Sequence, residues 1–442
     1  MTSTFWLNCK RPPMMAILFI AFAFFSASIS RSQEPPATAV ALDAAAVKAY
    51  QAKNFAQFLQ YERRALALEP ANPRFAYNVA CGESLTGAGA EAVKVLDKLV
   101  ARKLDLNADN DDDFASIHNT PEWAEFKTRL AELRKPIANS HVAFTLNDPA
   151  LVATGMTIDP RTGDTYIASV RERKIVRRTK DGKVSDFIRQ GQDGFMSADW
   201  LAIDSPRRLL YATTAAVPFM LDYQKPNEGR SGVFAFDLKT GKLVRKVMLP
   251  ADGTVHILNA MVVDRGGTVY TSDSAQSGIY RLRPGSDQIE VFVAPDVFRA
   301  AQGLAFSKDE RTLYVADYVD GVWALDMATK VRRHLEGPAD VWLGGLDGLS
   351  QVGDSLLSVQ IGVKPNRVLK LRLSPHGDRI DSAAVLEMGR LDYDGPIQGV
   401  VTGDSFLYVA NSQLSLGNGQ TGAFASDRAK PTIVLQLPLQ PK

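Results

Sequence analysis

Cysteine is nearly missing from this chain, with two in 442 residues, Cys9 and Cys81. Charge of one sign is missing too. The 51 Lys and Arg against 49 Asp and Glu leave a net charge of +2, spread along the chain rather than gathered in one block. Neither nucleic acid nor an anionic membrane surface is therefore an expected partner. No apolar run reaches the roughly 20 residues that a spanning helix needs. The Gly-x-Ser-x-Gly elbow, the His-Glu-x-x-His zinc motif and a glycine-rich phosphate loop are absent, which removes three common enzyme classes. Histidine is scarce, with five residues.

What is present is an ordinary globular composition, 45% apolar and 23% charged, on a chain long enough for two domains. Lys10 and Arg11 precede the apolar run "MMAILFIAFAFF", and small residues follow in "SASISRSQ". A basic start, a short apolar core and a small-residue exit predict a secretory signal peptide over residues 1–30, with a linker over 31–41. The expected destination is periplasmic or extracellular, with no transmembrane segment left after cleavage. Cys9 departs with the signal, so no intramolecular disulfide can form. Cys81, in "YNVACGES", reads as a packed core thiol.

Residues 42–135 carry a helical period. Tyr50, Phe55, Phe58, Leu59 and Leu66 recur near i, i+3 and i+4, and "EPANP" interrupts them. The acidic run "DLNADNDDDF" alternates Asp105, Asn107, Asp109 and Asp111. It fails as a calcium loop, with Asn110 where glycine is needed and Ser116 where the closing glutamate belongs. It is expected instead to open a helix whose macrodipole favours acidic residues. The stretch "ALALEPANPRFAYNVACGESLTGAGAEAVKVLDKLV" resembles a tetratricopeptide repeat, through Pro70, Asn72, Pro73, Tyr77, Ala80, Gly87 and Ala92. The resemblance implies stacked antiparallel helices offering a groove to a protein partner; helices that merely pack on the following domain are the competing reading.

From Val142 the period changes to two. Six related units begin at Thr154, Asp199, Asn259, Gln302, Asp347 and Gln398, spaced by about 40 to 60 residues and each carrying about four strand signals. No such unit buries both faces alone. The expected fold is multidomain, α plus all-β: a helical-repeat N-terminal domain followed by a six-bladed β-propeller over residues 142–440.

The six opening residues align at one position at the head of the innermost strand. They comprise two carboxylates, three amides and a hydroxyl, an oxygen-rich ring such as a hard divalent cation requires. Polar residues that only hydrogen-bond neighbouring blades give the same pattern.

The blades, most clearly "GLAFSKDERTLYVAD" (303–317), resemble the regucalcin/gluconolactonase family. That resemblance implies a propeller holding one divalent metal, Ca²⁺ or Zn²⁺, at the channel mouth, where a small-molecule lactone is hydrolysed. The family opens blades 1, 3, 4 and 5 with Glu, Asn, Asn and Asp. Asn259 and Asp347 match, as metal ligand and as metal ligand and candidate catalytic base. Thr154 replaces the glutamate and Gln302 the second asparagine. Asp199 is the candidate to restore the lost charge, so the expected metal set is Asp199, Asn259, Gln302 and Asp347. Thr154, Gln398 and His256 are the expected substrate contacts. Long loops at 215–232 and 412–424 lengthen the ligand face, and Phe219, Met220 and Tyr223 give the first an apolar tip suited to a lid or to an interface with the helical domain. Two functions follow: a metal-dependent lactone hydrolase, or a ligand- or protein-binding platform without turnover.

Overall fold

The computed structural model describes residues 38–439. The predicted signal peptide lies outside the described residues. By contact the chain divides into two units, one holding residues 136–338 and 343–439, the other 38–135 and 339–342. Among the described residues no helix is long and apolar enough to cross a membrane.

The first unit in sequence contains five helices: α1 (Ala39–Gln51), α2 (Phe55–Leu68), α3 (Pro73–Leu85), α4 (Gly89–Ala101) and α5 (Pro121–Leu133). Side-chain caps set four of the starts. Thr38, Asn54, Asn72 and Thr120 each accept a backbone N–H of the first turn, and proline follows Asn72 and Thr120 at the first helical position. Consecutive helices pack on one another. Small residues set their spacing: Ala80 and Ala92 are fully buried, and a Cβ on Gly82 would lie 2.9 Å from Leu59 Cβ.

The acidic run departs from expectation. It forms two 3₁₀ turns, Ala108–Asn110 and Asp112–Ile117, rather than the start of an α-helix. Its carboxylates are needed as acceptors: Asp105 and Asp109 bind the Arg134 guanidinium, Asp111 takes the Tyr77 hydroxyl and Asp113 that of Tyr50. Cys81 is buried, as its apolar helical face requires.

The second unit is a ring of six four-stranded antiparallel sheets. Their innermost strands are Ala153–Ile158, Ser197–Asp204, Leu258–Val263, Ala301–Phe306, Ser350–Val352 and Ile397–Thr402, for blades 1 to 6. The first strand in sequence, His141–Leu146, pairs with Thr432–Pro438 as the outermost strand of blade 6, so the two ends of the propeller close one sheet. The chain is already tied down before that strand. Ile137 bridges Met388, and the buried Glu387 accepts from the Ser140 backbone and hydroxyl, from Arg390 and from Tyr408.

Every blade has an irregularity at the same place. Opposite its neighbour, the innermost strand carries one extra residue between Ala153 and Gly155, Ala198 and Leu201, Leu258 and Met261, Ala301 and Leu304, and Ile397 and Val400. In blade 5 the same surplus falls between the Leu346–Gln360 bridge and the Ser350–Leu357 pair. A bulge strengthens the local twist and re-aims side chains. Here it also draws the innermost strands together. A Cβ on Gly155 would lie 2.6 Å from the Asp199 carbonyl oxygen, and one on Gly303 would lie 2.4 Å from Gly348 Cα.

Two outcomes are expected. Gly303→Ala forces backbone against backbone and should destabilise the propeller by about 1–3 kcal/mol, whereas Gly353→Ala, with open space around its Cβ, gives only the smaller penalty of its positive φ; chemical denaturation followed by fluorescence compares them. In the helical unit, Glu62 is pushed up to about 8 by its burial and by the Asp43 carboxylate beside it, itself paired with Arg74. Its stabilising contribution is complete below the ordinary value of 4.5 and is lost as pH rises through about 8. The helical melting temperature should therefore fall across this range, and Glu62→Gln should flatten the fall in circular dichroism melts.

Candidate functional site

Thr154, Asp199, Asn259, Gln302, Asp347 and Gln398 are the residues that the six bulges displace, so the aligned column becomes a ring where the innermost strands begin. They lie one or more residues inside the strands of blades 1 to 4 and 6, rather than ahead of them. Hydrogen bonds link neighbours round the ring. The Thr154 hydroxyl donates to the Ala198 carbonyl at 2.8 Å, and Asn259 Nδ2 donates to Gln302 Oε1 at 2.6 Å. Second-strand hydroxyls reinforce this, Thr213 donating to the Asn259 carbonyl and Ser272 to that of Gln302.

The six side chains are not equally available. Gln398 is buried and reaches into blade 5, where its Oε1 accepts from Val359 N–H and its Nε2 donates to the Ser350 hydroxyl. Its own N–H donates to Asp347 Oδ2 at 2.8 Å. Gln398 thus orients Asp347 while its amide serves blade 5. Asp199 is different: its Oδ2 has no hydrogen-bond partner among the described residues.

Burial pushes the Asp199 carboxyl up to about 7 and Asp347 up to about 6, the Gln398 N–H partly offsetting the second. Both residues keep some exposure to water, yet the surrounding protein disfavours their charge. Neither carboxylate raises the other. Tyr318 is raised mainly by burial and further by the Asp347 charge, which puts its phenol within electrostatic reach of that carboxylate.

One residue that the ring column did not reveal lies immediately after it. The positions following the six ring residues read Gly155, Trp200, Ala260, Gly303, Gly348 and Gly399. A Cβ on Gly348 in blade 5 would lie 2.8 Å from Trp200 Cη2, so the indole reaches across from blade 2 to the opposite blade. On its way it packs against the apolar residues between blades 2 and 3 and between blades 3 and 4. The signal was a single bulky side chain in a column of Gly and Ala. Gly348, Trp200 and Tyr318 all stand outside the aligned polar column.

His256 does not join the ring. Its Nδ1 lies 2.6 Å from Asp273 Oδ2, its ring stands edge-on to Tyr280, and its N–H donates to the Gly229 carbonyl of the long blade 2 loop. That loop does not present its apolar tip to solvent. Phe219 and Met220 are buried, and Phe219 packs with Val152, Val170, Leu414 and Phe424. Leu414 and Phe424 belong to the blade 6 loop, so the two long loops meet over blade 1. Arg171 fastens them, its guanidinium 4.3 Å above the Phe424 ring and its Nη1 donating to the Phe219 carbonyl.

For a cation, among the described residues Asp199 Oδ2 has no hydrogen-bond partner, Gln398 N–H engages Asp347 through Oδ2, and Asn259 spends its Nδ2 on Gln302. Two carboxylates and an amide are hard donors, which suit Ca²⁺ in chemistry. Among the described residues, the one place where three Cys, His, Asp or Glu ligand atoms come within 4.8 Å is Cys81, Asp111 and Asp113 in the helical unit. There the hydroxyls of Tyr77 and Tyr50 already engage the two carboxylates.

No curated protein matches the chain. The family model described as Major royal jelly protein matches residues 197–314, from blade 2 into the second strand of blade 4. Among solved structures, a luciferin-regenerating enzyme is similar at 13% identity and a TM-score of 0.47, covering 69% of this chain and 96% of that one. A gluconolactonase from Xanthomonas campestris is similar at 17% identity and a TM-score of 0.46, covering 70% and 93%. Virginiamycin B lyase from Staphylococcus aureus follows at 13% and 0.43, covering 66% and 97%.

Proposed function

We propose that this protein is an exported lactone hydrolase working in the propeller channel at the mouth where the innermost strands begin. The carrying observation is Asp347: a partly buried carboxylate, oriented through Oδ2 by Gln398 and raised to about 6, in the blade 5 position that matches the gluconolactonase-type acid. A carboxyl poised near neutrality suits a general base. Asp347 takes a proton from water as the water oxygen attacks the lactone carbonyl. The ring C–O bond then breaks, the departing alkoxide takes the proton back, and a hydroxy acid results. A divalent cation, Ca²⁺ in preference to Zn²⁺, would sit on Asp347 and Asn259 and would supply Lewis-acid polarisation of the carbonyl. Asp199, on the far side of the channel, contributes its charge at longer range. Gln302 fixes the Asn259 amide so that its oxygen faces outward.

A second reading, ligand binding without turnover, draws support from Thr154. It stands where the family's glutamate would be, and its hydroxyl already donates to Ala198.

Calorimetric titration of Ca²⁺ and Zn²⁺ into the metal-stripped mature protein tests the cation. Asp347→Asn should weaken Ca²⁺ by about a hundredfold, Asp199→Asn by less, and Thr154→Ala hardly at all. Lactone hydrolysis should vanish in Asp347→Asn. Cation binding without turnover of any aldonolactone in the parent would favour the second reading, and no cation binding would remove the metal.

A further inference from the structure

The residue that follows the ring position is Gly or Ala in five of the six blades. At Gly155, Gly303 and Gly399 neighbouring backbone closes the space, and at Gly348 it is shared by Gln398 and the indole of Trp200. Its backbone is fixed at the blade 1 side, where Trp200 Cα would lie 3.0 Å from a Cβ on Gly155, and its N–H donates to the Thr213 hydroxyl at 2.9 Å. Its tip rests beside Gly348, the residue after Asp347. The indole therefore runs from Asp199, its own chain neighbour, to the segment that carries Asp347. It crosses the channel to the blade that carries Asp347 and is only partly buried there. An apolar plate beside a ring of polar residues that includes two acids is an unusual lining for a hydrophilic channel. A polar open-chain ligand gains nothing from it, whereas a ring with a flat C–H or π face stacks on it.

We propose that Trp200 is the floor of the ligand pocket and that the ligand is a ring compound lying flat on the indole with its polar edge toward Asp347. This rests on the lactone reading and narrows its substrate class to cyclic esters with an exposed apolar face, aromatic-fused rings included. The indole closes the channel beneath the ligand, so entry and exit use the same mouth. Gly348 lets the indole lie against blade 5, since a Cβ there would meet both Trp200 and Gln398.

The test uses the full mature protein with two probes, 3,4-dihydroquinolin-2-one as an unhydrolysed ring and ethyl butyrate as an acyclic ester. Binding is read by calorimetry and by tryptophan fluorescence, in the parent, Trp200→Phe and Trp200→Leu. The ring probe should quench the parent's fluorescence, and the quench should disappear in Trp200→Phe although calorimetric affinity stays within about threefold, because phenylalanine still offers a face. Trp200→Leu should weaken the ring probe by about tenfold while moving the acyclic ester by less than about threefold. A merely structural plug predicts equal losses for both probes. Equal losses, a quench that persists in Trp200→Phe, or a ring probe that does not bind the parent would each overturn the proposal. Selective loss of the ring probe without turnover of any lactone sinks the catalytic reading and leaves this one standing. Lactone turnover unchanged in Trp200→Leu does the reverse.

Discussion

The close approach of the six innermost strands at their bulges is the constraint on which the propeller's centre depends. One extra residue per blade turns each strand inward at the same level, and the gaps there admit only hydrogen atoms at Gly155, Gly303 and Gly348. Once the backbones are this near, hydroxyls and amides of one blade reach carbonyls of the next. Thr154, Thr213 and Ser272 each do so. A crowded centre also strips water from any carboxylate placed in it, which is why Asp199 and Asp347 share an upward shift without touching. Geometry, desolvation and function are here one arrangement.

The ring would open without its seam. His141–Leu146 completes blade 6 from the outside, and the buried Glu387 holds the chain just ahead of that strand through Ser140. Glu387 is saturated by an arginine, a tyrosine and Ser140, so its burial is compensated rather than costly. The helical unit solves a similar problem less completely. Glu62 accepts from Asn78 but lies against the Asp43 carboxylate, and one of its oxygens lacks a partner. Burial there favours the neutral acid and ties the packing of the first three helices to pH.

On the face where the innermost strands begin, rigidity comes from apolar contact between loops rather than from strands. The lengthened loops of blades 2 and 6 share Phe219, Leu414 and Phe424 above blade 1. Gly417 is the residue that permits this, since a Cβ there would lie 2.6 Å from the Phe219 ring. The mouth is thus framed on one side by a packed bridge. His256, three residues ahead of Asn259, serves that frame by joining Asp273 to the same blade 2 loop.

The number of blades, the position of each innermost strand and the alignment of Thr154 through Gln398 were determined by the sequence alone. These follow from local rules: a period of two, turn residues at the strand ends, and a repeating unit that needs neighbours to bury its faces. The helical period of the first unit and the buried Cys81 followed in the same way. The acidic run was misread because its partners, Tyr50, Tyr77 and Arg134, are distant in sequence and close only after the helices stack. Tertiary structure alone decided which ring groups remain available. Gln398 looked like an open amide and is occupied by Val359 and Ser350; Asp199 looked like an ion ligand, and the indole that follows it in sequence reaches the blade that carries Asp347. Contact between blades 2 and 5 has no period along the chain. It exists only because closing six sheets into a ring sets opposite strands one tryptophan apart.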